Sequence, residues 1–167
     1  DSKRILFEGN GYSEEWAIEA AKRGLSNNKT TPIALKADVA PKTISLYEEL
    51  EVMNKVEIEA RHEIKLEEYT KRIQIEARVL GDIALNHVVP TALNYQNILI
   101  TNVSGLKEVF EEEFRTIAKD QMDLIRKISV HTSAISQNVH DMVEERKKAN
   151  VIEDAEDMAI AYCDKVK

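Results

Sequence analysis

One long stretch limits what this chain can fold into. Residues 54–103 carry a single proline, Pro90, and are otherwise helix-forming and dense in charge. Leu66, Tyr69, Ile73, Ala77, Leu80 and Ala84 recur at steps of three and four, which sets them on one stripe of an α-helix. Glu67, Glu68, Lys71, Arg72, Glu76 and Arg78 fall between them as a solvated face. The pairs Glu67–Lys71 and Glu68–Arg72 are spaced i,i+4 with the acid first, and each contributes roughly 0.2–0.5 kcal/mol. A fully buried Leu or Ile contributes roughly 1.5–3 kcal/mol. The stripe therefore outweighs the ion pairs, and it needs a partner.

Asn54 is read as the N-cap, with Glu57 at the reciprocal position three residues on. Gly81 in mid-helix costs about 1 kcal/mol against alanine. With Ala77 and Ala84 it forms a small-residue strip on which another backbone can approach closely. Pro90 lacks the N–H that would reach the carbonyl of Asn86, which predicts a kink or a restart.

The partner is expected in the second half. Ser104-Gly105 is read as a tight reversal, followed by a second long helix over 106–149. Phe114, Ile117, Gln121, Leu124, Ile128, His131 and Ile135 alternate three and four apart, the rhythm of knobs-into-holes packing, and Val139, Met142 and Arg146 continue it after one extra step. Gln121 and His131 place polar groups in that seam, where they would fix register. Glu153 to Val166 is expected as a third helix with Ala155, Met158, Ala159, Tyr162 and Val166 on one side. Ahead of the long hairpin, residues 4–7 form a strand or extended lead-in and Gly9-Asn10-Gly11 a turn. Ser13 caps a helix closed by Gly24, with Trp16, Ala20 and Ala21 facing inward, and Pro32 and Pro41 open two short helices. The expected fold class is all-α: a long antiparallel helical hairpin or bundle at 54–167, with a small subdomain of short helices at 1–53.

Charge and composition agree. Charged residues make up 32% of the chain and aromatics only 5%, a balance that suits long helices. The net charge of −7 argues against a nucleic-acid backbone as partner. No apolar run approaches membrane-spanning length. Cys163, the single cysteine, excludes an internal disulfide and suits a reducing cytoplasm. A chain that starts at Asp1 and stops at Lys167 inside a helical pattern is expected to be a piece of a longer polypeptide.

Motifs with chemistry fall short. Glu59-x-x-His62 has the spacing of half a helical di-iron site, but His87, His131 and His140 lack a glutamate three residues before them. Gly9-x-Gly11 lacks the third glycine of a dinucleotide fingerprint and the lysine of a P-loop, and Glu14 and Glu15 would repel phosphate there. Cys163 has no histidine nearby in sequence and is read as a core residue. No catalytic, cofactor-binding or metal residue is assigned.

Long strings carry more than these motifs. GNGYSEEWAIEAAKRGL (9–25), TTP (30–32) and, above all, EARHEIKLEEYTKRIQIEARVLGDIALNHVVPTALNYQN (59–97) resemble the C-terminal part of type III glutamine synthetase. ERKKANVIED (145–154) and AIAYCDKV (159–166) extend the likeness. The resemblance implies that a full-length enzyme joins ammonia to glutamate using ATP and a divalent metal, magnesium or manganese. It also implies a ring-based assembly of identical subunits whose metal-binding glutamates and nucleotide contacts lie in a curved β-sheet upstream of this chain. On that footing the chain is structural and assembles with the rest of the synthetase and with neighbouring subunits. The rival expectation is a free-standing helical-bundle signalling or interaction module.

Overall fold

The computed structural model describes residues 5–166. Arg4, which opens the expected 4–7 stretch, lies outside them. All regular structure among the described residues is helical. The chain divides into two compact units, one reaching to His62 and one beginning at Glu63.

In the first unit, residues 5–7 form no strand. Phe7 instead lies against Trp16, with ring centroids 4.7 Å apart. The Arg23 guanidinium stands 5.7 Å from the Trp16 ring and donates to the Ile5 carbonyl at 3.1 Å. Helix α1 (Glu14–Lys22) starts where the Ser13 hydroxyl accepts the Trp16 N–H. It ends at Gly24 with φ 74°, where the N–H groups of Leu25 and Gly24 reach back to the carbonyls of Ala20 and Ala21. Trp16 and Ala20 are half-buried, whereas Ala21 is exposed. Prolines open the first turns of α2 (Thr31–Leu35) and α3 (Pro41–Glu49). Helix α4 (Lys55–Ile83) begins with the expected reciprocal cap: Asn54 N–H donates to Glu57 Oε2 at 2.9 Å, and Glu57 N–H to Asn54 Oδ1 at 3.0 Å.

In the second unit, α4 leads into a π turn (Ala84–Val88) and then α5 (Val89–Phe110). The restart expected at Pro90 takes this form. The Val89 N–H bonds to Ala84 O, five residues back. That wider turn absorbs the bond that proline cannot make.

The reversal is not at Ser104-Gly105. Helix α5 winds through both residues, and the chain turns at 111–113, where Glu111 takes φ 44°. Val103 and Leu106 are half-buried on the same stripe as Ala92, Gln96 and Leu99. Their packing outweighs the roughly 1 kcal/mol that a helical glycine costs. A short α6 (Phe114–Ile117) and the 31-residue α7 (Lys119–Ala149) follow. Gly81 lies opposite Val139 and Met142, and Asn102 opposite Gln121, so the two arms run antiparallel. Helix α8 (Ala155–Ala161), capped by the Asp154 carboxylate, passes into a second π turn (Tyr162–Val166). Ile73, Ala77, Ala149, Tyr162 and Val166 form the core, with Tyr69, Met142, Met158 and Ala161 packed around it.

Two faces differ from the sequence reading. On α4, Leu80 is 61% exposed, and Gly81 takes the inward place beside it. A Cβ on Gly81 would stand 3.3 Å from the Met142 terminal methyl and 3.4 Å from a Val139 methyl, so close helix packing is why glycine stands there. Along α6 and α7, Ala118 at their junction and Thr132 are buried, while Ile117 and Leu124 are partly open and His131 is exposed. The contact face with α5 is therefore turned by about one residue from the expected stripe. It keeps Phe114, Gln121, Ile128 and Ile135 at intermediate burial.

Candidate functional site

Polar chemistry in the second unit gathers at two places, the hairpin seam and the cleft where α7 gives way to α8. In the seam, Gln96 is 8% exposed. Its amide donates to Ile125 O at 2.8 Å and to Ser129 Oγ at 2.6 Å. Farther along, Asn102 donates to Gln121 Oε1 at 2.6 Å. Thr132, also buried, donates to Ile128 O in its own helix. Gln121 thus joins the two arms as expected, but His131 does not. Gln96 and Thr132 are the buried polar residues that the sequence reading missed, and Gln96 is the one that bonds across the arms. The signal for Gln96 was its place on the apolar row, three residues before Leu99 and seven before Val103. The bonds of Gln96 and of Asn102 with Gln121 cross between the arms, so together they favour one pairing.

The cleft has a volume of about 360 Å³ and is bordered by Glu63, Glu67, Thr70, Gln74, Asn150 and Met158, among others. Gln74 Nε2 donates to Asn150 Oδ1 at 3.4 Å and to the Tyr162 hydroxyl at 3.3 Å. The Tyr162 hydroxyl donates in turn to Asn150 Oδ1. Lys71 is held by Glu67 at 3.0 Å, as the i,i+4 spacing predicted. No nucleophile stands beside a base here. The network ties α8 and the end of α7 to α4.

Nearby, Tyr69 faces Cys163, which is partly exposed rather than the core residue expected. Burial raises the Tyr69 hydroxyl pKa above the usual phenol range. The hydrogen bond with the Cys163 thiol and the charges of Asp164 and Glu76 add to the effect.

The weaker motifs resolve as follows. Glu59 is paired with Lys55 at 3.5 Å. His62 is 9% exposed, and its Nδ1 has no partner. Among the described residues, no three His, Cys, Asp or Glu side chains converge as a metal ion requires, so the side chains present do not fit the divalent metal that the resemblance implies. The Gly9–Gly11 segment is a turn in which Asn10 accepts the Tyr12 N–H through its side chain and the Ser13 N–H through its carbonyl. A Cβ on Gly9 would lie 2.6 Å from the Phe7 ring, which would have to shift to admit it. No described helix is long and apolar enough to cross a membrane.

Comparison with known proteins supplies what the geometry does not. Residues 1–107 match the glutamine synthetase C-terminal domain model. The chain is 46% identical over 164 residues to a glutamine synthetase of Bacteroides fragilis, an alignment covering 96% of this chain and 22% of that protein. It is 28% identical over 160 residues to a glutamine synthetase of Butyrivibrio fibrisolvens, again 96% of this chain and 22% of the relative. It is 36% identical over 110 residues to a type-3 glutamine synthetase of Dictyostelium discoideum, covering 66% and 15% respectively. The chain thus spans about a fifth of the length of the curated relatives it matches.

Proposed function

The chain belongs to the glutamine synthetase C-terminal domain family, and from that premise we propose that it is the helical C-terminal region of a type III glutamine synthetase. In this reading the whole enzyme ligates ammonia to glutamate at the expense of ATP, with magnesium or manganese. The acidic metal ligands and the nucleotide site are supplied by other parts of the polypeptide. The observation that carries the reading is 46% identity along 96% of this chain to a protein of which it spans only 22%.

In this reading the chain has a mechanical role. Residues 1–53 form a short-helix subdomain continuous with the catalytic domain, and residues 54–167 a bundle that braces it and contributes contacts to neighbouring identical subunits. The polar groups described above support this role, because each bonded one is spent on holding helices together rather than aimed at a ligand. We place the enzyme in the cytoplasm, in keeping with a single free cysteine.

The test is an assay with ATP, glutamate and ammonia. The full-length polypeptide is expected to form glutamine, and the 167-residue chain alone to form none. Turnover by the isolated chain would place the active site inside it and refute the proposal.

A further inference from the structure

We propose that the outward face of α5 docks on the same face of a second copy of this chain, with the two helices antiparallel about a two-fold axis. The inference rests on the assembly role proposed above and names the surface that serves it.

Charge marks the surface. Residues 83–106 contain no Asp, Glu, Lys or Arg, in a chain that is 32% charged. The neighbouring long helices turn charge outward, with Glu67 and Lys71 exposed on α4 and Asp123 and Lys127 on α7. A helix that faces water carries charged and polar groups on the side away from its core. Helix α5 has such a side and, up to Leu106, no charge on it. Leu93 is 41% exposed, Tyr95 50%, Ile98 64% and Ile100 44%. Single exposed apolar residues are ordinary. Four close together on a charge-free helix form a patch, and loss of charge is what distinguishes the centre of a protein interface.

Gly105 is an independent sign. A glycine inside a helix is destabilising relative to alanine. Gly81 has its reason within the chain, in Val139 and Met142. A Cβ on Gly105 would meet nothing within 4 Å among the described residues. Close approach of another backbone is the use of a glycine at such a place, and here that backbone must come from outside the described residues.

The pattern of the face selects its occupant. Asn94, Ile98, Thr101 and Gly105 each follow by two residues a member of the buried stripe of α5, namely Ala92, Gln96, Leu99 and Val103. Two residues on is the far side of an α-helix, and all four are exposed. Their spacing of four, three and four reads the same in both directions. A copy laid antiparallel therefore sets Ile98 against Thr101 and Asn94 against Gly105, a larger side chain against a smaller one at each step. Thr101 already donates its hydroxyl to Asn97 O at 2.9 Å in its own helix. Such a pairing is isologous, each contact occurring twice. The chain has a net charge of −7, so two copies repel where their charged surfaces meet. This face lets them approach without that repulsion, whereas a partner chosen by charge finds nothing to hold on it.

The experiment is sedimentation velocity of the 167-residue chain over a range of micromolar concentrations. A monomer–dimer equilibrium is expected. Ile98→Glu, which sets a carboxylate on the face, and Gly105→Phe, which blocks the close approach, should each raise the dimer Kd at least about tenfold. Circular dichroism checks that both variants remain helical. Should either lose helix, deuterium exchange over 91–105 in the unmutated chain, expected to slow as concentration rises, gives the reading instead. A chain that stays monomeric throughout overturns the proposal. If Ile98→Cys on a Cys163→Ser background is then shielded from maleimide only in the full-length polypeptide, the cover is another part of the same subunit. A dimer that tolerates both substitutions overturns the choice of face. Glutamine formation by the full-length polypeptide is scored separately: its absence alongside a dimer sensitive to Ile98→Glu removes the parent reading and keeps the interface, whereas its presence alongside a monomeric 167-residue chain removes the interface alone.

Discussion

Replacing Tyr162 tests how the third helix is held. Its side chain is fully buried and shares the core with Ile73, Ala77, Ala149 and Val166. Truncating a buried aromatic to alanine costs about 3–5 kcal/mol. Its hydroxyl is a separate matter, since it bonds to Asn150 and Gln74. Asn150 is exposed, so water can replace that partner. Tyr162→Phe should therefore cost about 0.5–1.5 kcal/mol, toward the low end. Against a domain stability of roughly 5–15 kcal/mol, the alanine variant is severely weakened and the phenylalanine variant is not. Urea unfolding followed by far-ultraviolet circular dichroism separates the two. With a slope of about 2 kcal/mol/M, the midpoint falls by about 0.5 M for Tyr162→Phe and about 2 M for Tyr162→Ala. If alanine shifts the midpoint no more than phenylalanine does, the ring is not packed and α8 is not docked on α4. If phenylalanine costs as much as alanine, the polar network holds the helix and the core argument fails.

Three further outcomes are expected. Gln96→Ala should cost about 1–3 kcal/mol, and a double-mutant cycle with Ser129→Ala should show coupling through their 2.6 Å bond; strictly additive losses in urea unfolding would mean that the bond does not form in solution. Gly81→Val should lose about 1–2 kcal/mol by crowding Val139 and Met142, whereas Gly81→Ala should be near neutral, because its gain of about 1 kcal/mol in helix propensity offsets a contact with the mobile end of Met142; equal thermal midpoints for the two variants would show that no helix approaches there. Tyr69 keeps its proton in the fold above the pH at which the unfolded chain loses it, near 10, so its contribution is fully present below that pH and is lost as pH rises further; Tyr69→Phe should flatten that alkaline decline in stability, and an unchanged slope would remove burial at Tyr69 as its cause.

Taken alone, the sequence determined whatever depends on near neighbours along the chain. The caps at Ser13 and Asn54, the glycine stop at Gly24, the disturbance at Pro90 and the all-helical class are local effects. Propensity, capping geometry and three-four spacing carry them within a turn or two. The Gly81 approach was also readable, because a glycine amid small residues in a helix has few other reasons to be there. The parent family was readable from long strings, not from any site.

Tertiary structure decided what requires knowing the partner. The reversal moved from Ser104-Gly105 to 111–113 because Val103 and Leu106 gain more from packing than the glycine loses in the helix. The seam's buried polar residues are Gln96 and Thr132 rather than His131, because a stripe spanning two heptad rows does not say which row the neighbouring helix will cover. Periodicity gives a face to within about one residue, or roughly 100° of arc. The rotation that remains is set by the helix on the other side.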